Sequence, residues 1–571
     1  MDLLYFVLLI SILIFVHEAG HFTFAKIFGV KVITFSIGFG PKILKIRGKE
    51  TEYCVGVIPL GGFVKMLEES KRTEPILPED RKRTFEAQEL WKRIVIVLAG
   101  PAMNILFPVV LYTSVFLEDR QFLPPTVGVV LPGKPADGKL LPGDRIVSVD
   151  GVEVSSFPES QRLVSARAGV PTHFVVLRDG KTLDLIITPL NEVKVVEPRE
   201  LDIVEHVGQV GFQSTFPAPV IGVPRTDSPA YRAGLRTFDR ITALNGRKVD
   251  RMIDLVTGLS ANRGDTVVVA FERPMPVSAM DGLVDIAVEE PEVATLTPTA
   301  PAARPAGLDA EGRAGDVLAR TGIESADMYA VFVPESSSEW KAGLRAGDRI
   351  TSLDGAPPRL WQSMEDELVR SASKMHALAW TRAGEPMAGM FQLRDEEWGD
   401  DYGQRYQRYV FRTTHWTPDA PQEYVPNPSP VLYAIRRGYE ETARGVKFTL
   451  LGFFRLIEGR ASLASVGGPI TIYDIAGQAG AQGTLPFVWA MALISINIGL
   501  INLFPIPVLD GGHLMFFLVE AVKRRPLSVR VREISSLVGM SMLFLLMLLA
   551  FKNDVTRRWD VILGQLRELF G

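Results

Sequence analysis

The stretch FVHEAGHF sets His17 and His21 four positions apart, with Glu18 next to the first of them. Four positions along a helix return to nearly the same face, so two imidazoles there can hold one metal ion. The adjacent carboxylate can then take a proton from water attacking a carbonyl. With 7 histidines in the chain, a chance HExxH has a probability of roughly half a percent. The motif also sits inside an apolar run from Leu3 to about Phe24, where each polar group needs a partner or water, so a purely structural role is expensive. Catalytic zinc takes three protein ligands and leaves a fourth position open, so one more ligand must come from elsewhere. Asp510 is a candidate: it ends NLFPIPVLDGG, where Pro505 and Pro507 break helical bonding and Gly511 and Gly512 permit a sharp turn. His513 is a rival ligand, and a helix cap at the membrane surface is the structural alternative for Asp510.

The elements that must bring these groups together are membrane helices. Apolar residues make up 47% of the 571 and are concentrated in four stretches rather than spread as in a soluble core. The expected spans are 1–30, carrying HExxH; 93–117; 484–512, carrying NxxPxPxLDG; and 533–552. The first is read as a retained helix, because Asp2 stands where a signal peptide is positive and no small-residue cleavage site follows. Residues 31–92 carry many Lys and Arg, as does the segment from Lys523 to Arg532, which places both on the cytoplasmic side. Four crossings then put the large middle part outside the cytoplasm, in a bacterium the periplasm.

That middle part repeats itself. KLLPGDRIVSVDG starts at Lys139, GLRTFDRITALNG at Gly234 and GLRAGDRITSLDG at Gly343. Each Asp-Arg-Ile leads an alternating strand into an Asp-Gly or Asn-Gly turn. The pattern resembles the PDZ domain, an α+β, barrel-like module, with copies expected at 125–192, 208–292 and 317–396. The second copy has Phe238 where Gly is usual. An Ala- and Pro-rich stretch, 293–316, reads as a linker without fixed structure. Residues 431–463 recur at helical spacing with interleaved Arg and Lys, as in an amphipathic helix on the bilayer surface; a soluble helix packed on the third copy buries the same stripe. The net charge of −4 carries no electrostatic footprint for nucleic acid. The single cysteine, Cys54, cannot form an intramolecular disulfide.

The constellation of HExxH in the first span, AGPAMN from Ala99 to Asn104 and the Asp of an LDG motif near the last spans resembles the site-2 protease family of intramembrane zinc metalloproteases. FSIGFGP from Phe35 and IPLGGFVKM from Ile58 look like the membrane-associated β-hairpin of its bacterial regulator of sigma-E branch, which usually has two PDZ domains rather than three. The resemblance implies a multi-domain membrane protein of the bacterial inner membrane: an α-helical core, a membrane-associated β-hairpin, periplasmic PDZ domains and an active site toward the cytoplasm. It implies Zn2+ on His17, His21 and Asp510, with Glu18 as base and Asn497, Asn502 and Pro505 lining the substrate cleft. Its substrate class is single-pass transmembrane proteins such as anti-sigma factors, or leftover signal peptides. Two rivals stand beside it: a membrane scaffold with an inert metal motif, which predicts that Glu18→Gln keeps function, and a metal transporter, whose histidines would recur along several spans.

Overall fold

The computed structural model describes residues 1–67, 76–195, 204–262, 264–277, 285–288, 292–299, 310–371, 374–399, 405–460, 463, 466–525 and 527–559. The chain forms two compact units: Met1–Arg120 with Val195–Glu205 and Asn427–Gly571, and Gln121–Lys194 with His206–Pro426. Four helices of the first unit are long and apolar enough to cross a membrane: Asp2–Ile27, Leu90–Phe116, Thr484–Asn502 and Arg530–Thr556.

Helix α1 (Asp2–Ile27) has no proline and stops before Gly29, whose φ of +79° a glycine adopts without strain. Strands β1 (Val32–Arg47) and β2 (Glu52–Met66) follow. The expected hairpin is rolled up. Thr34 pairs with both Lys65 and Glu52, and Ile46 pairs with Tyr53, so two bent strands make four segments in the order 58–66, 32–39, 52–56, 42–47. The 58–66 segment lies at an edge beside α1. Helix α2 (Leu90–Phe116) contains Pro101 and Pro108. A proline removes the bond to the carbonyl four residues back. For Pro108 that carbonyl belongs to Asn104, and Ser495 Oγ donates to it at 2.8 Å.

In the second unit three subdomains are built on one plan. Their sheets run Val152–Glu153, Arg145–Val149, Thr172–Arg178, Lys181–Ile187; then Arg247–Lys248, Arg240–Leu244, Val267–Glu272, Glu292–Leu296; then Arg349–Leu353, His376–Arg382, Glu385–Phe391. As the Asp-Gly and Asn-Gly pairs predict, Asp150, Asn245 and Asp354 have φ of 48°, 48° and 49°, and the following Gly151, Gly246 and Gly355 are also positive. Each leading side chain accepts a backbone N–H of the next long strand at 2.8 Å, from His173, Val268 and Ala377 respectively. The Asp of each Asp-Arg-Ile is buried and gripped by an arginine 34 positions later: Arg178 on Asp144, Arg273 on Asp239, Arg382 on Asp348. The same arginines donate to the carbonyls of Lys139, Gly234 and Gly343. Phe238 holds the left-handed position, φ 76°, that Gly143 and Gly347 hold in the other two subdomains. A left-handed conformation costs a non-glycine residue roughly 1–2 kcal/mol. Its ring stands edge-on to Tyr329, 6.4 Å away.

Helix α3 (Phe157–Ser165) belongs to the first subdomain, α4 (Pro229–Arg232) and α5 (Met252–Ala261) to the second. Helix α6 (Ala310–Thr321) follows, then α7 (Ser338–Ala342) and α8 (Trp361–Arg370) of the third. The expected boundaries need correction, because each subdomain is closed by chain beyond its predicted end. Val210 and Phe212 complete the first core. Ala294, Leu296, Val317 and Ile323 complete the second, and Phe411 the third. The linker expected over 293–316 is corrected for the same reason: Glu292–Leu296 is a sheet strand and α6 occupies Ala310–Thr321, while 300–309 lie outside the described residues.

The helices α3, α5 and α8 correspond, yet their outer faces differ. Against α3 the backbone at Gly208 is so close that an added Cβ would come within 2.3 Å of Val164 O. Against α5 lies α6, with the buried Arg320 donating to Leu259 O and Asn262 O at 3.2 Å. A cavity of about 160 Å³ also borders α5, and a larger one of about 570 Å³ lies beside α8, lined by Glu365, Val369, Arg370, Tyr409 and Phe411, with Lys134 from the first subdomain.

Helix α9 (Pro430–Ile457) ends short of the expected residue 463. Its small residues face α2: an added Cβ at Gly438 would lie 2.4 Å from Thr113 Oγ1, and Ala434 is buried with Tyr112 and Phe116. Leu432, Ile435, Tyr439, Leu450, Phe454 and Ile457 remain exposed. Helix α10 (Pro469–Gln482) packs on α1. Its N-terminal N–H groups at Gly468 and Ile470 are capped by Asp554 of α13 (Val529–Arg557) at 2.9 and 3.0 Å. The span expected over 484–512 is interrupted. Helix α11 ends at Asn502 (Thr484–Asn502), and α12 begins afresh at Asp510 (Asp510–Lys523), because Pro505 and Pro507 supply no N–H.

Candidate metal centre

Three elements converge on one point. His17 and His21 lie a turn apart on α1, and the irregular 503–509 segment delivers Asp510 at the first position of α12. His17 Nε2 and His21 Nε2 are 3.2 Å apart. Asp510 Oδ2 is 3.1 Å from the first and 3.5 Å from the second. Among the described residues these three form a group able to hold a metal ion. Gly511 and Gly512 serve the turn through space rather than through an unusual φ. An added Cβ would lie 2.2 Å from Phe504 O at the first and 2.3 Å from Ile506 O at the second.

The donor set fits zinc. Bonds of about 2.0–2.1 Å in a tetrahedral site put ligand atoms roughly 3.3–3.4 Å apart, the separation already present here. Two neutral nitrogen donors and one carboxylate match the ligand types of catalytic zinc sites. Glu18 adjoins the group. It has the Val64 backbone as a hydrogen-bond partner, and an added Cβ at Gly62 in the edge segment would come within 2.9 Å of its Cγ.

The support comes from α2 and went unread in the sequence. His21 Nδ1 meets Ile96 O at 2.9 Å. An added Cβ at Gly100 would fall 2.2 Å from His21 Nε2, and one at Gly20 would fall 2.5 Å from Ala99 O. The fully buried Asn104 sets its Nδ2 3.4 Å from His17 Nδ1. Small residues let helix backbones approach this closely in a membrane. The available signal was Gly100 and Asn104 four positions apart within an apolar span.

The other expected site residues do not join the group. Asn497 accepts a hydrogen bond from Thr449 Oγ1 of α9 at 3.0 Å, a helix-to-helix tie. Asn502 is half-buried at the end of α11, and Pro505 is exposed in the turn after it. His513 points to Phe516, with ring centroids 6.3 Å apart, outside the three-residue group.

The family model described as Peptidase family M50 matches residues 5–546. The chain is 29% identical to the regulator of sigma-E protease RseP of Salmonella typhimurium, over 97% of this chain and 98% of that protein. It is equally similar, with the same coverage, to RseP of Escherichia coli. A protein of Neisseria meningitidis provisionally named a zinc metalloprotease is 28% identical over 97% of this chain and 99% of its own length.

Proposed function

Since the chain belongs to peptidase family M50 and is thereby a zinc metallopeptidase, we propose that it cuts within transmembrane segments of other membrane proteins. His17, His21 and Asp510 hold the metal and Glu18 is the base. The observation that carries this reading is the meeting of three ligand atoms within 3.5 Å of one another inside a bundle of apolar helices.

A transmembrane helix keeps its peptide groups in internal hydrogen bonds, so it must be unwound before a carbonyl can be attacked. The 58–66 segment of β2 is an edge strand beside Glu18, and an extended substrate adds to it as a further strand, replacing the lost helical bonds. Bound zinc supplies a Lewis acid that polarises the carbonyl and activates water. Glu18 takes the proton from that water and returns it to the leaving amine. Asn502, Pro505 and Asn497 line the substrate cleft, Asn497 while also tied to Thr449 of α9.

The outer subdomains act as PDZ domains that select or gate substrates. Selection belongs to the third, since the cavity beside α8, about 570 Å³, is larger than the one of about 160 Å³ beside α5. The exposed apolar stripe of α9 contacts lipid. The relatives' names suggest a sigma-E type pathway, with single-pass membrane proteins such as anti-sigma factors, or remnant signal peptides, as substrates in a bacterial inner membrane. The outer subdomains are then periplasmic and the metal centre lies toward the cytoplasm.

Glu18→Gln tests the reading: cleavage falls by roughly 10²–10⁴-fold while zinc is retained. In cells, membrane fragments found by mass spectrometry accumulate only in the variant. Equal fragment patterns in wild type and variant would overturn the protease reading and favour the scaffold.

A further inference from the structure

Each metal-binding histidine has a second ring nitrogen, and what that nitrogen bonds fixes the ring's tautomer and orientation. For His21 the partner is Ile96 O, at 2.9 Å from Nδ1. For His17 the atom opposite Nδ1 is Asn104 Nδ2, at 3.4 Å. His17 Nε2 points at His21 and Asp510, so metal binding through Nε2 leaves the ring hydrogen on Nδ1. Two N–H donors would then confront each other. The carboxamide oxygen Oδ1 of Asn104, meanwhile, is buried with no hydrogen-bond partner. A half-turn of the amide exchanges its nearly isosteric oxygen and nitrogen ends and brings that acceptor to the ring hydrogen.

We infer that Asn104 is a positioning residue for zinc, accepting the Nδ1 hydrogen of His17 as Ile96 O accepts that of His21. The inference rests on the zinc reading above. The backbone of Asn104 is itself held: Pro108 leaves its carbonyl without a helical partner, and Ser495 of α11 donates to it at 2.8 Å. An added Cβ at Gly499 would stand 3.2 Å from Asn104 Cβ, so α11 presses directly on this residue. Helix α2 therefore carries one orienting acceptor per histidine, at positions 96 and 104, with Gly100 between them to admit the His21 ring.

The test uses the purified full-length chain and compares wild type, Asn104→Leu and Asn104→Asp. Zinc affinity is measured by chelator competition, the cobalt-substituted spectrum by absorption, and the thermal unfolding of metal-free protein serves as the control for folding. Asn104→Leu removes the acceptor and weakens zinc binding roughly 10–100-fold, the usual effect of losing such a partner. Asn104→Asp keeps an acceptor in the same shape, so its zinc affinity and cobalt spectrum stay near wild type. Unchanged affinity in Asn104→Leu overturns the inference. So does an equal loss in both variants when their metal-free unfolding matches wild type. A wild type that binds no zinc sinks the parent reading instead, which the same measurement reveals separately.

Discussion

The two units treat an inward-facing carboxylate in opposite ways, fully buried in one and half-buried in the other. In the second unit Asp144, Asp239 and Asp348 are at most 1% exposed, and each is met by a guanidinium of its own subdomain and by a backbone N–H three residues back. In the membrane unit Asp510 faces two imidazoles, groups that are neutral whenever they serve as metal ligands. A fold that supplies its own countercharge has built a brace. One that surrounds a carboxylate with neutral donors has left the countercharge to be bound from outside.

Exchanging the two kinds of carboxylate tests that contrast. The largest effect belongs to Asp510→Asn. The loss of a Lewis acid worth several kcal/mol lowers cleavage by roughly three orders of magnitude, and zinc content falls with it. Metal-free unfolding of the membrane unit moves little. A variant that kept its zinc would break the contrast. Asp348→Asn does the reverse: it removes the charge that Arg382 meets, and losing a charge-assisted hydrogen bond of this kind costs about 1.5–3 kcal/mol. The third subdomain then melts early, as limited proteolysis within 330–391 would detect, while zinc content is unchanged. Intact stability would mean that the arginine brace is ornamental.

The smallest effect sharpens the comparison through a half-buried imidazole whose nearest carboxylate, Asp327 at 3.9 Å, does not offset the cost of desolvation. His415 stacks on Trp361, with centroids 4.8 Å apart, and burial depresses its pKa from 6.5 to about 4. The unfolded chain takes up a proton that the folded one refuses as pH falls below 6.5. Stability of the third subdomain therefore declines from about 6.5 down to about 4, and this contribution is flat above that window. His415→Phe keeps the stacking and removes that slope in a pH series of melting temperatures. An unchanged slope would assign it to other groups.

Much of this was legible because it rests on short-range rules. HExxH encodes one helical turn, the prolines before Asp510 encode a break, and Asp-Gly or Asn-Gly encodes a hairpin turn. The convergence of His17 with Asp510 was legible only through resemblance, since no local rule spans nearly five hundred positions. AGPAMN marked the family, but the roles of Gly100 and Asn104 within it stayed unread because they depend on the register of α2 against α1. The ends of the subdomains were misplaced for a similar reason. Phe212 and Phe411 carry no sign of which core they enter, and Ala- and Pro-rich composition around α6 masked Val317 and Ile323.

The seating of α6 has a practical side for dissecting the chain. A fragment begun at residue 317 to isolate the last subdomain would carry off Val317 and Ile323, two plugs of its neighbour's interior, together with Arg320. What remained would be left with an open seam along α5. The second and third repeats thus share a wall, and a cleaner excision leaves α6 with the piece that precedes it.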